Sequence, residues 1–248
     1  MAQALPKFDA PEDRAISEPA LSSAPIEGKS LMHPVLRLYE DTFGNLAGEV
    51  SLPPLPRMIF VVHGSISIAG RSYRDGEAWH GEGPVTLRPE SGGATCWRWE
   101  LAKGDAAACV IVGPEISSRE KLSAALETLP KGELLLRGDS VAFPPGGSAF
   151  LHTHQGPGIR CLIEGGIRID TRGHSTSYGP GGAWYESGPD PVFAQAAADR
   201  PSRFIRVMIL PRALLGKSSL QLVNEEDKGK PRAQQYKVFV DAPIELPK

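Results

Sequence analysis

Two histidines separated by one residue carry the strongest chemical signal in the chain. His152 and His154 lie in the stretch PPGGSAFLHTHQGPGIRCLIEGG, which runs from Pro144 to Gly166. Alternate residues of a β-strand project from the same face, so imidazoles at positions i and i+2 can reach one ion. Imidazole binds Zn, Fe, Ni, Cu and Mn, and the spacing therefore predicts a metal site. The alternative is a pair of surface histidines that binds nothing.

The segments that must position these histidines have the pattern of short β-strands. Apolar stretches recur from residue 34 to residue 112, the last at 107–112, and again from Glu133 to Leu210. Glycine-containing turns separate them, which is typical of antiparallel β-structure. One segment departs from this pattern, because residues 117–129 (SSREKLSAALETL) carry Leu and Ala at helical spacing behind a Ser and end before a proline. We predict a short helix there.

The two series of strands resemble each other. In both, an apolar strand ends in a residue followed by Gly, at His63-Gly64 and Glu164-Gly165, and a Gly-x-x-Trp segment follows. The pattern favours two copies of one barrel. The predicted order is a flexible arm at 1–30, a first barrel at 31–115, a helical linker at 116–131, a metal-binding barrel at 132–212 and an extended arm with one strand at 213–248.

The histidine stretch resembles the first sequence motif of the cupin family. The shared features are the Gly-rich lead, the HxH, a short turn and an apolar strand that ends in Glu-Gly. The stretch YGPGGAWYESGPDP, from Tyr178 to Pro191, resembles the second motif of that family. The resemblance is good in the C-terminal half and weak in the N-terminal half. It implies an all-β fold, a double-stranded β-helix or jelly-roll barrel that holds any metal inside its mouth.

Two ligands of the family pattern are missing here. Gly158 stands where the first motif has Glu, and Val192 lies near the place of the last His of the second motif. Glu186 is the nearest carboxylate of the second motif, and we expect it to complete a 2-His-1-carboxylate set with open positions. The alternative for Glu186 is a solvated turn residue, and Gln155 is a weaker substitute because its amide oxygen is neutral.

Arg160 lies two positions beyond the missing Glu, and we expect it on the same inward face. A guanidinium there could orient an anionic substrate group, whereas the alternative is a buried pair with Glu164 or another acid. Tyr178, Trp184 and Tyr185 could line the pocket or belong to the core. Arg160 and Tyr185 are the candidate catalytic residues.

The N-terminal half has no HxH. When the two halves are aligned on their residue-Gly ends, the two histidines fall on Ser51 and Pro53. We therefore expect one divalent metal ion per chain, of Fe, Zn, Ni or Mn. In the stretch TCWRWEL, Trp97 and Trp99 alternate with polar residues, which predicts a strand at a barrel wall or an interface.

The overall composition limits the partners. A formal charge of −2 provides no basic field for nucleic acid, and no apolar stretch is long enough to span a bilayer. The three cysteines have no CxxC spacing and the N-terminal sequence lacks the pattern of a secretory signal, so we expect a cytoplasmic protein with reduced thiols. We also expect a homodimer that binds a small molecule, with a carboxylate as one option.

Three functions remain open at this point. The first is a metal-dependent enzyme with dioxygenase-like oxidoreductase chemistry on a small anionic or carbonyl-bearing molecule. A Zn-type isomerase or lyase would use the same residues without redox chemistry. The second is a non-catalytic cupin that acts as a sensor or carrier, and the third is an oligomerisation scaffold. The fold accommodates both catalysis and binding, so the fold does not decide between them.

Overall fold

Residues 32–247, which the computed structural model describes, are almost entirely β-structure. Every strand pair in this part of the chain is antiparallel. The predicted all-β fold class is therefore confirmed. The predicted arm at 1–30 lies outside the described residues.

The first sheet contains the strands of the N-terminal half. They are β1 Val35–Phe43, β2 Val50–Leu52, β3 Arg57–Ile68, β4 Arg71–Arg74, β5 Ala78–Gly81, β6 Val85–Ala102 and β7 Ile116–Ala125. The order is β3-β6-β1-β7, with β5 and β4 both paired to β3 and β2 paired to β6. The register between β3 and β6 shifts on either side of Gly64, which has a positive φ of 84°. Only glycine fits there, because a Cβ would meet the carbonyl oxygen of Gly93.

Two five-stranded sheets form the C-terminal half. The second sheet contains β8 Leu134–Phe143, β10 Gly158–Glu164, β13 Ala183–Glu186, β15 Ser202–Pro211 and β17 Gln235–Ile244, in the order β13-β10-β15-β8-β17. The third sheet contains β9 Ser148–His154, β11 Ile167–Thr171, β12 His174–Tyr178, β14 Val192–Ala196 and β16 Leu220–Leu222, in the order β12-β11-β14-β9-β16. Their facing sides bury one apolar cluster, which includes Leu162, Ile169 and Trp184.

The same strand order occurs in both halves. In the first sheet, β5-β3-β6-β1-β7 are neighbours, and the second sheet repeats this sequence as β13-β10-β15-β8-β17. The pairing of β2 with β6 also corresponds to that of β9 with β14. This repetition supports the tandem-barrel hypothesis, and the division into two barrels stays a prediction.

A shared core joins the first and second sheets. Trp97 and Trp99 project into it from β6, while Cys96 points into a different cluster on the other face of the strand. Ile159 and Ile205 approach the tryptophans from the second sheet. The indole N–H of Trp99 donates to the carbonyl of Ile159 at 3.2 Å. The tryptophan strand therefore forms an interface within the chain.

The helix predicted at 117–129 is wrong, because most of this segment is β7. β7 pairs with the open edge of β1 along its whole length. Side-chain contacts also bind it: Ser118 donates to Asp41 at 2.6 Å, and Arg119 and Lys121 both donate to Glu40. Tertiary pairing of this kind outweighs a weak local helix propensity.

Two further segments differ from or extend the sequence pattern. Residues 107–112 form no strand, and Arg98 and Tyr39 hold them through the backbone of Cys109. In the tail, β17 is the one strand that the sequence predicts, and β16 is a second one that pairs with β9. None of the helical segments in residues 32–247 has the length and apolar character needed to cross a membrane.

Candidate metal centre

His152 and His154 lie on β9 and project between the second and third sheets. Both side chains are buried, and their ring centroids are 4.9 Å apart with nearly perpendicular planes. The Nδ1 atom of His152 is 2.7 Å from the carbonyl of Phe150. A carbonyl only accepts, so Nδ1 carries the proton and Nε2 keeps a free lone pair. A backbone carbonyl orients metal-binding histidines in the same way.

In the second imidazole, the same nitrogen, Nε2, faces the cavity. The Nδ1 of His154 lies 3.4 Å from the hydroxyl of Ser219, and its Nε2 lies 3.5 Å from Nη1 of Arg206. A guanidinium has only donors, so Nε2 of His154 is the acceptor in this contact, which leaves Nδ1 to donate to Ser219. Both histidines therefore present an Nε2 lone pair in this cavity.

Glu186 approaches the histidines from β13 on the opposite sheet. Its Oε1 accepts a hydrogen bond from the indole of Trp184 at 2.9 Å, and its Oε2 lies 3.7 Å from Nε2 of His154. Oε2 is also 2.7 Å from Nη2 of Arg160, but that N–H does not point at it, so neither atom has a hydrogen bond. A buried carboxylate oxygen without a hydrogen bond is costly unless another group binds it.

These three groups meet the requirements of a metal site. One ligand atom each of His152, His154 and Glu186 lie within 4.8 Å of one another, and all three residues are buried. Two neutral imidazoles and a carboxylate suit a borderline divalent ion and leave positions open for a ligand. No other such group of His, Cys, Asp and Glu occurs in residues 32–247.

Arg160 is fully buried and pairs with Glu186 rather than with Glu164. Its Nη1 donates to the carbonyl of Gly158 at 2.7 Å. Glu164 instead forms an exposed pair with Arg203 at 2.8 Å. Burial lowers the pKa of Arg160 to about 10, although the Glu186 carboxylate acts to raise it. Arg160 therefore stays charged near neutral pH and compensates the buried carboxylate.

A second buried ion pair, which the sequence pattern did not predict, lies beside the histidines. Arg206 on β15 donates to both oxygens of Asp139 on β8, at 2.7 and 3.0 Å. Burial acts to lower the pKa of Arg206, but the Asp139 carboxylate outweighs it and raises that pKa. A signal was available for Arg206, which is the only charged residue in the apolar run FIRVMIL; Asp139 stands in LLLRGDSV, close to Arg137 and Ser140.

Burial keeps the two imidazoles neutral. It lowers the pKa of His152, and Glu186 only partly offsets this effect. The pKa of His154 lies well below its usual value because of burial and the charges of Arg206 and Arg160. Since metals bind the unprotonated imidazole, the fold holds both histidines in the binding form.

Tyr185, a candidate catalytic residue from the sequence, does not reach the metal centre. It follows Trp184 and precedes Glu186 on β13, so strand alternation turns it to the opposite face. There it packs against the core shared by the first and second sheets. The aromatic residue that lines the cavity on this strand is Trp184.

The cavity around the metal centre is small. It encloses about 20 Å³, with both histidines, Arg160, Glu186 and Arg206 in its wall. A wider cavity of about 620 Å³ contains none of these residues. The side chains that could carry chemistry thus line the smaller cavity. Cavity volume alone would select the wider cavity, which lacks them.

Comparison with known proteins identifies the fold. No protein-family model and no curated protein matches the sequence. Among solved structures, oxalate decarboxylase from Bacillus subtilis at pH 4.6 matches with a TM-score of 0.54 at 12% identity, over 81% of this chain and 73% of that one. A mutant of the same enzyme matches with a TM-score of 0.51 at 13% identity, over 81% of each chain. At such low sequence identity, structural similarity shows a shared fold only. These neighbours are members of the cupin family. The chain therefore has the cupin fold that its two motifs resemble.

Proposed function

We propose that the chain is a metal-dependent enzyme that acts on a small anionic or carbonyl-bearing molecule in its C-terminal half. One divalent ion of Fe, Zn, Ni or Mn binds His152, His154 and Glu186, and the reaction is a dioxygenase-like oxidation. The observation that carries the proposal is the convergence of three buried ligand atoms from two sheets within 4.8 Å. A bound ion would supply Lewis acidity, and iron would add redox chemistry.

The surrounding residues prepare this site in three ways. Trp184 holds one oxygen of Glu186 and leaves the other directed at the histidines. Arg160 is a positioning residue for the same carboxylate. The apolar wall around them, which includes Phe204 and Val141, limits access of water and strengthens the electrostatic interactions inside.

The charges at this site favour an anionic ligand. Arg160 and Arg206 carry two positive charges, and Glu186 and Asp139 carry two negative charges. A divalent ion therefore adds uncompensated positive charge to a buried site. An anionic ligand oxygen offsets that charge, so we propose a small anion, such as a carboxylate, as the natural ligand.

Two other functions use the same residues. A Zn-type isomerase or lyase would differ only in the ion and in the absence of redox chemistry. A non-catalytic sensor or carrier is favoured by the cavity volume of about 20 Å³, which leaves little room beside an ion. Turnover distinguishes the enzyme from the carrier, and the identity of the ion distinguishes the two enzymes.

Metal analysis of protein purified without a nickel resin tests the site. We expect one ion per chain in the wild type and almost none in His152→Ala/His154→Ala, because a lone carboxylate binds a borderline ion weakly. The matched control is His63→Ala/His174→Ala, which removes two exposed histidines. Metal retained in the first double variant, or two ions per chain, would contradict the proposal.

Glu186→Gln tests the third ligand. The substitution keeps the shape of the side chain but removes its charge, so we expect metal affinity to fall on the order of 10- to 100-fold. Competition with a fluorescent chelator measures the change, and Glu164→Gln is the control because Glu164 forms only a surface pair. Equal affinity in the two variants would assign the third position to another donor.

An oxygen electrode tests the dioxygenase-like reaction. Iron-loaded protein is mixed with a panel of small carboxylates, and we expect oxygen uptake that requires both histidines. Activity without oxygen uptake would favour the isomerase or lyase, and no turnover with any ion would favour the carrier.

The homodimer and the cytoplasmic location are further proposals, tested by light scattering and by cell fractionation.

A further inference from the structure

An open cleft lies outside the metal cavity, between β16 and β17. It has a volume of about 360 Å³, against about 20 Å³ for the inner cavity. Arg206, Leu220 and Tyr236 belong to the walls of both spaces, so the two spaces adjoin at these residues. A ligand larger than a few atoms cannot fit the inner cavity alone. The cleft has the volume that small-molecule sites require.

The cleft is positively charged although the chain as a whole is not. Four cationic residues line it, namely Arg137, Arg206, Lys217 and Arg232, and two anionic residues, Asp139 and Asp241. Both anionic residues already pair with arginines of the cleft wall. Lys217 and Arg232 form no ion pair with any residue of 32–247 and are exposed. An excess of two positive charges attracts anions to a chain whose net charge is −2.

Arg206 has one nitrogen directed at the metal centre. Asp139 holds its Nε and Nη2, which fixes the plane of the guanidinium. The third nitrogen, Nη1, lies 3.5 Å from Nε2 of His154, a candidate metal ligand that accepts at most a weak bond at this distance. An ion on His154 and the guanidinium would face each other as two cations. An anionic ligand oxygen beside the ion could accept the Nη1 N–H and offset that repulsion.

We propose that the ligand is a small carboxylate that occupies this cleft and places its carboxylate against Nη1 of Arg206. The inference rests on the proposed function and names its substrate class and a specificity-determining residue. The body of the ligand contacts Leu220, Tyr236 and Val238, which are the apolar residues of the cleft wall. Arg160 is oriented differently, because its Nη1 donates to a backbone carbonyl and its Nη2 lies 2.7 Å from Oε2 of Glu186.

Calorimetric titration with benzoate tests the proposal, with neutral benzamide as the uncharged probe. Arg206→Lys keeps a cation beside Asp139 but removes the fixed Nη1, and Asp139→Asn/Arg206→Gln removes the pair without leaving a buried charge. We expect benzoate to bind the wild type and to weaken on the order of 10- to 100-fold in both variants, since a hydrogen bond to a charged group is lost. Benzamide affinity should change little.

The matched control is Arg203→Gln, on the same strand but in a surface pair with Glu164. It should leave benzoate affinity unchanged. Benzoate bound equally by the wild type and both Arg206 variants, or not bound at all, would overturn the inference. A second variant, Lys217→Glu/Arg232→Glu, should weaken benzoate binding several-fold at low salt and much less at high salt. Unchanged affinity there would overturn the cleft as the binding site.

Metal content, measured on every sample, separates this inference from the proposed function. Benzoate binding that depends on Arg206 in a protein that holds no metal would refute the metal-dependent enzyme and support the cleft assignment. If the protein is loaded with metal and its benzoate affinity is the same with and without Arg206, the proposed metal centre stands and the proposed carboxylate site is wrong.

Discussion

At the scale of single residues, the decisive group is Glu186, whose two oxygens face different partners. The indole of Trp184 donates to Oε1, whereas Oε2 lies between Nη2 of Arg160 and Nε2 of His154. Arg160 can therefore balance the carboxylate when no ion is bound. An ion held by His152, His154 and Glu186 would also contact Oε2 and compensate its charge.

Arg160→Met tests the strength of this buried pair. Both charges are nearly inaccessible to solvent, so the substitution leaves an uncompensated carboxylate and should cost on the order of 3 to 5 kcal/mol of unfolding free energy. Denaturant unfolding of chelator-treated protein measures the loss. Arg203→Met, in an exposed pair, should cost no more than about 1 kcal/mol. Equal, small losses in both variants would show that Arg160 does not stabilise Glu186.

At the scale of elements, side-chain contacts explain why β7 pairs with the edge strand β1. Glu40 on β1 accepts from Arg119 and Lys121 on β7 and from the indole of Trp97 on β6. The register between β1 and β7 shifts beside Lys121, so that two basic residues of one strand reach the same carboxylate. These contacts fix both the pairing and the register of β7.

Glu40→Gln should reduce the loss of stability in acid. Burial acts to raise the pKa of Glu40, but hydrogen bonds from Arg119, Trp97 and Lys121 outweigh it and lower the pKa to about 2. The pKa is lower in the folded state than in the unfolded state, so this stabilisation is complete above the unfolded pKa of 4.5 and disappears as the pH falls towards 2. Thermal melts between pH 5 and about 2 should therefore decline less steeply in the variant.

Glu49→Gln provides the comparison for this measurement. Glu49 also pairs with an arginine, Arg88, but both side chains are largely exposed. Its melting profile should follow that of the wild type. Parallel profiles for Glu40→Gln and the wild type would refute the stabilising role of the Glu40 contacts.

At the scale of the whole molecule, the two halves share one apolar core. Trp99 and Phe60 of the first sheet and Ile159 and Val207 of the second belong to the same buried cluster. The face of the second sheet that packs in this cluster lies opposite the face that carries Arg160 and the metal centre. The N-terminal half therefore supports the sheet on which half of the site is built.

Trp99→Ala tests whether the halves unfold together. The loss of a fully buried indole in a shared core should cost about 3 to 5 kcal/mol and lower the unfolding temperature of both halves in one transition. Differential scanning calorimetry measures this. Trp79→Ala, a half-buried residue outside the shared core, should cost less. Two separate transitions, only one of them shifted, would show that the halves are independent.

The local sequence determined most of the strands, the candidate ligand pair His152 and His154, and the candidate third ligand Glu186 on β13. Alternation along one strand fixes that His152 and His154 share a face, and the same rule turns Trp184 and Glu186 inward. These features depend on residues close together in the chain, so a strand pattern and a motif resemblance are enough to find them. Tyr185 shows the limit: its residue type suggested catalysis, but strand alternation places its side chain in the core shared by the first and second sheets.

The tertiary structure decided everything that depends on pairing between distant segments. Arg206 and Asp139 are 67 residues apart in the chain. The partner of Arg160 could not be read from the sequence, because the pairing of β10 with β13 is what brings Glu186 to it. The segment at 117–129 has the local pattern of a helix, and the free edge of β1 makes most of it a strand. Charge pairing and edge pairing are energies between elements, so only the folded arrangement of those elements determines which pairs form.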